Sequence, residues 1–451
     1  MKLLPGLGLV LFIALPRCSL SEVKALQVAS TNRMQSAISL QDALMEKEPE
    51  VNLESLVQEL IRSNPDLAAA KKRLEASQTR PFQEGSLPDP KITMGWISNG
   101  NPLPGAGLGV EPTSNIGFQL SQDFPYPGKR FLKETVARKE AESTAMNLQL
   151  LELFLIRQLK TAFHDLAYVY ETLALLERNR DVLQRLARVA DSRYALGRGL
   201  QQDLIRAQLE LTLLEKRRIS EQQKKASLKA QINTLLNRAP NEPLGRPRED
   251  QDLPSLSEFE VLERQADQYS PRLKSQRALI DGRHFEVQLA KRGYYPDFGV
   301  MGGYYNMGGL KDMWEFRVQV NIPLYFWRKQ RLGLEESSYR LAEAQKNYRS
   351  AEQELVYRIR EQFLAAQTAS SLTDLYRQRL IPQAKLALES SLASYESGTV
   401  DFLTVLANFS AILESEKDYY EQRTEYLKAI ANLEEAVALN LEKIHQEEGK
   451  P

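Results

Sequence analysis

Residues Trp314 to Ile322 alternate apolar and polar side chains without a break, and so do residues Asn115 to Phe124. Ile92, Met94 and Trp96 alternate in the same way with Lys91, Thr93 and Gly95, and Phe298, Val300, Gly302 and Tyr304 form a weaker fourth case. A period of two sends successive side chains to opposite faces of a strand. Four strands are therefore expected, at 91–99, 115–124, 297–305 and 314–322. The rest of the chain has a different period. Leu151, Leu155, Leu159, Ala162, Leu166, Val169, Leu173 and Leu176 step by three and four residues, which is close to a heptad seam. Val356, Ile359, Phe363 and Ala366 repeat that spacing.

Punctuation sets the lengths. No proline occurs between Pro127 and Pro240, and no glycine between Gly128 and Gly197. A helix over 130–196 would be about 100 Å long, and one over 328–397 about 105 Å. Pro382 is expected to kink or interrupt the second. Shorter helices are expected at 200–238 and 401–444, with the missing length supplied by 52–85 and 257–293. Laid end to end, 200–238 and 257–293 would span about 114 Å, the length of one long helix.

The order helix, two strands, long helix, turn, helix occurs twice. Asn64-Pro65-Asp66-Leu67 opens a helix in the first half, and Ser270-Pro271-Arg272-Leu273 opens its counterpart. Leu87-Pro88-Asp89 and Tyr295-Pro296-Asp297 precede strands; Phe124-Pro125 and Ile322-Pro323 end them. Tyr194-Ala195-Leu196-Gly197 closes the first long helix, and Tyr395-Glu396-Ser397-Gly398 closes the second. The expected layout is a leader at 1–21, an N-terminal tail at 22–50, a first repeat at 51–254, a second at 255–445 and a C-terminal tail at 446–451.

Composition removes several function classes. Lys plus Arg is 59 and Asp plus Glu is 59, a formal net charge of +0, so no broad nucleic-acid-binding surface is expected. A single Cys excludes a disulfide framework, and three dispersed His disfavour a metal site. Met1 and Lys2 followed by an apolar run from Leu3 to Leu15 resemble an export signal. Arg17 before Cys18 makes a poor lipidation site. Beyond this leader no apolar run reaches 18 residues, so any entry into a membrane must be made by strands. Ten-residue strands suit a tilted membrane-crossing hairpin pair, with Trp96, Trp314, Tyr304, Tyr305, Tyr325 and Trp327 near strand ends. The competing reading is a soluble antiparallel sheet with one buried face. Four strands cannot close a barrel, so the membrane reading requires several copies around an axis.

No residue pattern supports enzymatic chemistry or a cofactor. Gly197-Arg198-Gly199 ends a helix rather than following a strand, which fails the dinucleotide context. Met301-Gly302-Gly303 and Met307-Gly308-Gly309 read as flexible strand ends and a turn, not as a thioether metal site. His164 and His284 read as packing or surface residues.

The repeat, the proline-bounded strand pairs and the Tyr-x-x-Gly turns resemble the TolC-type outer membrane efflux proteins. Gln122-Asp123-Phe124-Pro125-Tyr126-Pro127-Gly128-Lys129-Arg130 is similar to a segment common in the heavy-metal, CusC-like and CzcC-like branch. The resemblance spans about residues 50–440. It implies a mainly α protomer with a membrane β part, three copies forming a 12-stranded β-barrel and an α-barrel through the periplasm. It implies a homotrimer in outer membrane lipid, with a periplasmic adaptor (membrane fusion protein) and an inner-membrane resistance–nodulation–division (RND) pump as partners. The duct would be a passive one for heavy-metal cations; a multidrug or type I secretion channel and a soluble coiled-coil scaffold are the alternatives. Pro125, Pro127, Gly128, Lys129 and Pro323 are the strand-end positions of the resemblance. The periplasmic tip, where the adaptor would dock, falls on Tyr194, Gly197, Gly199, Leu204, Tyr395, Gly398 and Val405. Where TolC carries aperture acids after the second turn, this chain has Thr404 and Ala407. Asp203 and Asp401 are then the aperture candidates, with a helix-capping role for Asp203 as the competing reading.

Overall fold

The computed structural model describes residues 49–99, 101–249 and 253–439. The expected leader, Cys18 and the C-terminal tail lie outside them. Among the described residues a small unit holds Pro49, Glu50 and Val51 with Leu244–Arg246, in which the Arg246 amide donates to the Pro49 carbonyl at 2.9 Å. All other described residues, from both repeats, form the second unit.

That unit holds nine helices among the described residues. They are α1 (Leu53–Ser63), α2 (Pro65–Gly85), α3 (Lys129–Ala195), α4 (Gln201–Leu235), α5 (Phe259–Tyr269), α6 (Pro271–Arg292), α7 (Lys329–Leu375), α8 (Ile381–Ser397) and α9 (Phe402–Val437). α3 runs for 67 residues without interruption, about 100 Å at 1.5 Å per residue. Its seam is the expected one: Leu155, Leu159, Ala162, Leu166, Val169 and Leu176 are buried, while Leu151 and Leu173 are half-buried. In α7 the buried line is Ala351, Leu355, Ile359, Ala366 and Ala369, with Val356 and Phe363 at its margin.

The end-to-end pairing differs from the expected one. It is α2, not the 257–293 region, that continues α4. Asn64 makes the junction: its side-chain oxygen accepts from the amides of Asp66 and Leu67 at 2.9 and 3.2 Å. Its amide nitrogen donates to the Leu235 carbonyl at 2.9 Å, and Ser63 Oγ donates to Leu236 O at 2.8 Å. One side chain thus satisfies free donors at the start of α2 and a free acceptor at the end of α4. The two dipoles meet head to tail, the favourable sense. In the second repeat α6 and α9 both pack against α3 and α7, and Leu273 and Val437 share one core cluster. The short helices therefore pair as α4 with α2 and α9 with α6. Sequence length cannot choose between these pairings, because all four segments have compatible lengths.

Pro382 does not break the second long helix. A π turn at Tyr376–Leu380 joins α7 to α8, and the Ile381 amide reaches back five residues to Tyr376 O. Pro382 sits in the first turn of α8, where a missing N–H is tolerated.

Four strands, β2 (Lys91–Ile97), β3 (Asn115–Phe124), β5 (Asp297–Asn306) and β6 (Met313–Asn321), form an antiparallel sheet in the order β2-β3-β5-β6. The remaining two-residue strands, β1 (Glu50–Val51) and β4 (Arg246–Pro247), pair with each other. In the larger sheet Met94 opposes Phe118, Phe118 opposes Tyr304, and Tyr304 opposes Trp314. Directly opposed residues share a face. One face therefore carries Ile92, Met94, Trp96, Ile116, Phe118, Leu120, Phe298, Trp314, Phe316 and Val318, all exposed. The other carries Lys91, Gln119, Asp123, Glu315, Arg317 and Gln319. On it Tyr305 lies across Gly117, where an added Cβ would meet the Tyr304 carbonyl at 2.3 Å. The Tyr305 hydroxyl takes a bond from Gln119 and donates to Glu315 at 2.7 Å. Glu315 also pairs with Arg317. Among the described residues the outer strands β2 and β6 have no partner on their far sides. No helix among the described residues is long and apolar enough to cross a membrane.

Asn64→Ala should loosen the α4–α2 junction by about 1–2 kcal/mol, the usual cost of a lost cap. Hydrogen exchange at the Asp66 and Leu67 amides checks it. Asn64→Asp, which keeps the acceptor but loses the donor to Leu235, should cost less; equal protection in all three proteins would show that the junction contributes no stability.

Candidate functional site

The two helix–helix turns, α3 to α4 and α8 to α9, close in the same way. The Gly197 amide donates to Tyr194 O at 2.9 Å and Arg198 to Arg193 O at 2.9 Å; Gly398 donates to Tyr395 O at 3.0 Å and Thr399 to Ser394 O at 2.9 Å. Both are Schellman ends, and both glycines are left-handed, with φ of +69° and +85°. Gly199 follows closely over its helix end: an added Cβ would stand 3.0 Å from the Tyr194 amide nitrogen.

The equivalent tyrosines have different surroundings. Tyr194 is 44% exposed, whereas Tyr395 is 2% exposed. Tyr395 joins Phe402, Val405, Ala207 and Leu186 in a core built from both hairpins. Its ring packs against Phe402 at 5.5 Å between centroids, and the Arg193 guanidinium lies over it at 4.5 Å. Its hydroxyl donates to Asp203 Oδ2 at 3.3 Å. Burial pushes this hydroxyl up to about 12, helped by the Asp203 charge and opposed by Arg193. The donor therefore stays protonated across physiological pH. Arg193 and Asp203 come from the first repeat and Tyr395 from the second, so the contact ties one hairpin to the other.

The aperture candidates separate. Asp203 does not cap α4; Leu200 holds the cap position without a side-chain bond. Asp203 is half-buried and engaged with Tyr395. The cap lies in the other repeat: Asp401 accepts from the Thr404 amide at 3.1 Å and from the Thr404 hydroxyl. Those bonds, with the Arg206 charge, hold its carboxyl below the usual range. Asp401, Thr404 and Ala407 are exposed; Leu204 is half-buried and Val405 fully buried. Arg193, Asp203, Arg206 and Asp401 line a cleft of about 450 Å³ between the tips.

Far along α3 the hairpins are joined by charge. Arg157 pairs with Glu435, Lys160 with Glu434 at 2.5 Å, and Asp165 with Lys428 at 3.2 Å. His164, expected as an ordinary packing or surface residue, is buried and hydrogen-bonded. Its Nδ1 lies 2.6 Å from Glu249, and Glu249 also faces Arg423 at 3.6 Å. A partner 85 residues away has no signal at helical spacing. His284 is exposed. Among the described residues no group of three His, Cys, Asp or Glu could hold a metal.

The strand-end residues also act across repeats. Lys129 Nζ pairs with Asp297 at 2.8 Å and donates to the Tyr295 carbonyl at 3.0 Å. Tyr126 stacks on Tyr295 at 4.6 Å, and Arg292 donates to Pro127 O at 2.8 Å. Gly128, at φ +89°, starts α3 beside the Arg292 guanidinium. Pro125 ends β3, and Pro323 ends β6 before the exposed run Leu324, Tyr325, Phe326 and Trp327. Sequence reasoning missed Arg193, Arg292 and Glu249, which appear only as charges on long helices or in a loop.

Residues 262–439 match the family model described as outer membrane efflux protein. No curated protein matches the chain. Among solved structures, the outer-membrane channel OprN superposes with a TM-score of 0.74 at 16% identity, over 86% of this chain and 90% of that one. CusC, described for its transmembrane channel formation, gives 0.71 at 15% over 85% and 91%. The outer membrane protein VceC from Vibrio cholerae gives 0.73 at 17% over 86% and 96%. At these identities the likeness is one of fold. Residues 262–439 therefore carry the likeness to the outer membrane efflux protein family, and the described chain shares the fold of these channel structures.

Proposed function

We propose that the chain is one protomer of a trimeric outer membrane channel, the passive export duct of a tripartite efflux system. The observation that carries this is the β2-β3-β5-β6 sheet. One face is apolar and exposed, the other is polar, and both edges are unpaired. Three copies joined edge to edge give twelve strands, with the apolar face in lipid and the polar face around water. The helices then extend the duct into the periplasm. An adaptor would dock at the tips around Gly197 and Gly398, and an RND pump in the inner membrane would supply the energy.

The tip contact acts as a latch in this reading. The ion pairs from Arg157–Glu435 to Asp165–Lys428 hold α3 and α9 together along their upper length. About 45 Å further along α3, the hydroxyl of Tyr395 donates to Asp203 and the Arg193 guanidinium lies over the Tyr395 ring, which ties the two hairpins at the tip. The π turn at Tyr376–Leu380 supplies a bend between the two zones. Opening the latch lets α8 and α9 move away from α3 and α4. Asp203 then serves the latch, and Asp401 is the better aperture carboxylate because it is exposed and charged.

Heavy-metal cations are the proposed cargo, on the strength of the segment from Gln122 to Arg130. The fold likeness extends equally to OprN and VceC, so a multidrug or type I secretion channel is the alternative. Loss of metal tolerance in a deletion strain, restored by this chain and without change in drug or protein export, is the expected cargo result.

Tyr395→Phe keeps the ring and removes the donor. Trimers should assemble normally while open probability in planar bilayers rises several-fold; an unchanged open probability would rule out the latch.

Asp401→Asn keeps a cap acceptor but removes a charge. It should lower cation selectivity, most visibly at low salt, whereas Asp203→Asn should chiefly alter open probability. A reversal potential that moves only with Asp203→Asn would return the aperture role to Asp203.

Phe316→Arg and Val318→Arg should each cost about 2–4 kcal/mol at mid-depth in lipid, and Gln319→Arg should assemble normally. Equal damage at 318 and 319, scored as heat-resistant trimers in outer membrane fractions, counts against the proposed faces.

A further inference from the structure

The loop between β2 and β3 lies at the end of the sheet away from the helices, and from Ser98 to Val110 its sequence contains no charged residue. Its backbone is a run of successive turns. Leu103-Pro104-Gly105-Ala106 has Pro at the second position and Gly at φ +79° at the third, closed by Ala106 N to Leu103 O at 3.2 Å, as a type II turn requires. Leu108 donates to Gly105 and Val110 to Gly107, each at 3.2 Å, with Gly107 and Gly109 again left-handed. Further donors are satisfied inside the loop: Glu111 N to Gly107 O at 2.8 Å, Ser114 N to Glu111 O at 3.1 Å, and Leu103 N to Asn101 Oδ1 at 3.0 Å.

The loop packs toward the apolar face of the sheet. The Trp96 indole donates to Pro102 O at 3.2 Å, and Gly105 lies against the Ile116 side chain. Trp96 and Ile116 oppose each other in register on the apolar face. Gly109 meets the backbone of Gly309 in the β5–β6 hairpin, which fixes the loop's far side. With these donors satisfied inside it, the loop presents Leu103, 64% exposed, and Val110, 79% exposed, beside the exposed Asn101.

We infer that residues 101–110 form a lipid-contacting apron, an uncharged turn ribbon that continues the sheet's apolar face onto the outer leaflet of the bilayer. The inference rests on the membrane reading of the sheet. Its occupant is lipid rather than a neighbouring copy because the loop is continuous with Trp96 and Ile116 on the lipid-facing side. Internally closed turns let irregular backbone lie against lipid with fewer unpaired groups, and an aromatic at strand end marks the interface.

Spin labels on single cysteines in the full-length Cys18→Ser protein, reconstituted in phospholipid vesicles, test this. The sites are Leu103→Cys and Val110→Cys in the loop, Phe316→Cys in the sheet and Lys311→Cys in the β5–β6 hairpin. Oxygen collides with labels in lipid, and a water-soluble nickel chelate with labels in water. The expected result is lipid-type accessibility at 103, 110 and 316, with water-type accessibility at 311. Lipid at 316 with water at 103 and 110 overturns the apron and leaves the membrane sheet standing. Lipid at 316 with 103 and 110 shielded from both reagents assigns the loop to a neighbouring copy and also overturns it. Water at 316 overturns the membrane reading and the apron with it.

Discussion

The second unit depends on α3. A helix of 67 residues cannot surround a core; it can only offer long stripes to neighbours. α2 and α4 pack along it, and so do α6 and α9, so four shorter helices bury a face against this spine. Its length requires the absence of Pro and Gly between 129 and 195, and its ends require Gly128 and Gly197. Apart from the continuous run of α7, the π turn and α8, no described helix is long enough to match it alone, so the chain splices shorter helices. That is why Asn64 matters: it stabilises two helix ends with one side chain where neither could be solvated freely.

The repeat supplies parts and the fold makes them unequal. Both turns end in the same hydrogen-bond pattern, yet one tyrosine is exposed and the other is buried beneath Arg193. Neither hairpin tip could provide this contact alone, since its acceptor and its cation come from the other hairpin. The same division recurs at the strand ends, where Lys129 and Tyr126 of one repeat meet Asp297 and Tyr295 of the other. Between these zones the ion pairs along α3 and α9 are partly withdrawn from water. Breaking one would leave its partner charge poorly solvated, which favours a fixed arrangement there. At the tip the polar ties are a long hydrogen bond and a guanidinium–ring contact, weaker restraints than a buried ion pair.

The sheet carries its own asymmetry. Tyr305 can cross the polar face because Gly117 and Gly303 leave room beneath it, and its hydroxyl joins Gln119 to Glu315. This places a β3 residue, a β5 residue and a β6 residue in one network, so the pairing across repeats has side-chain support as well as its ladder. The open edges at β2 and β6 are the remaining unsatisfied feature of the sheet, and unpaired strand edges favour association.

Periodicity alone determined much of this. Alternation over Asn115–Phe124 and Trp314–Ile322 gave two strands and their faces to within a residue or two, because a period of two admits only one assignment of side chains. The α3 seam and the Gly197 and Gly398 ends were equally legible, since proline, glycine and heptad spacing are local signals. Tertiary structure decided everything that needed distance in sequence to become distance in space. Length matching suggested 200–238 end to end with 257–293, but the Asn64 amide chose α2 for α4. Pro382 looked like a break, and a π turn absorbed it. The acid six residues past Gly197 suggested an aperture or a cap; the structure removes the cap and shows its carboxylate accepting from Tyr395, 192 residues away. His164 had no partner at helical spacing and found Glu249 in a loop. Local rules fix which elements form, because they depend on neighbours in the chain. Partners across repeats depend on which faces the packed helices bring together, and no single segment encodes that.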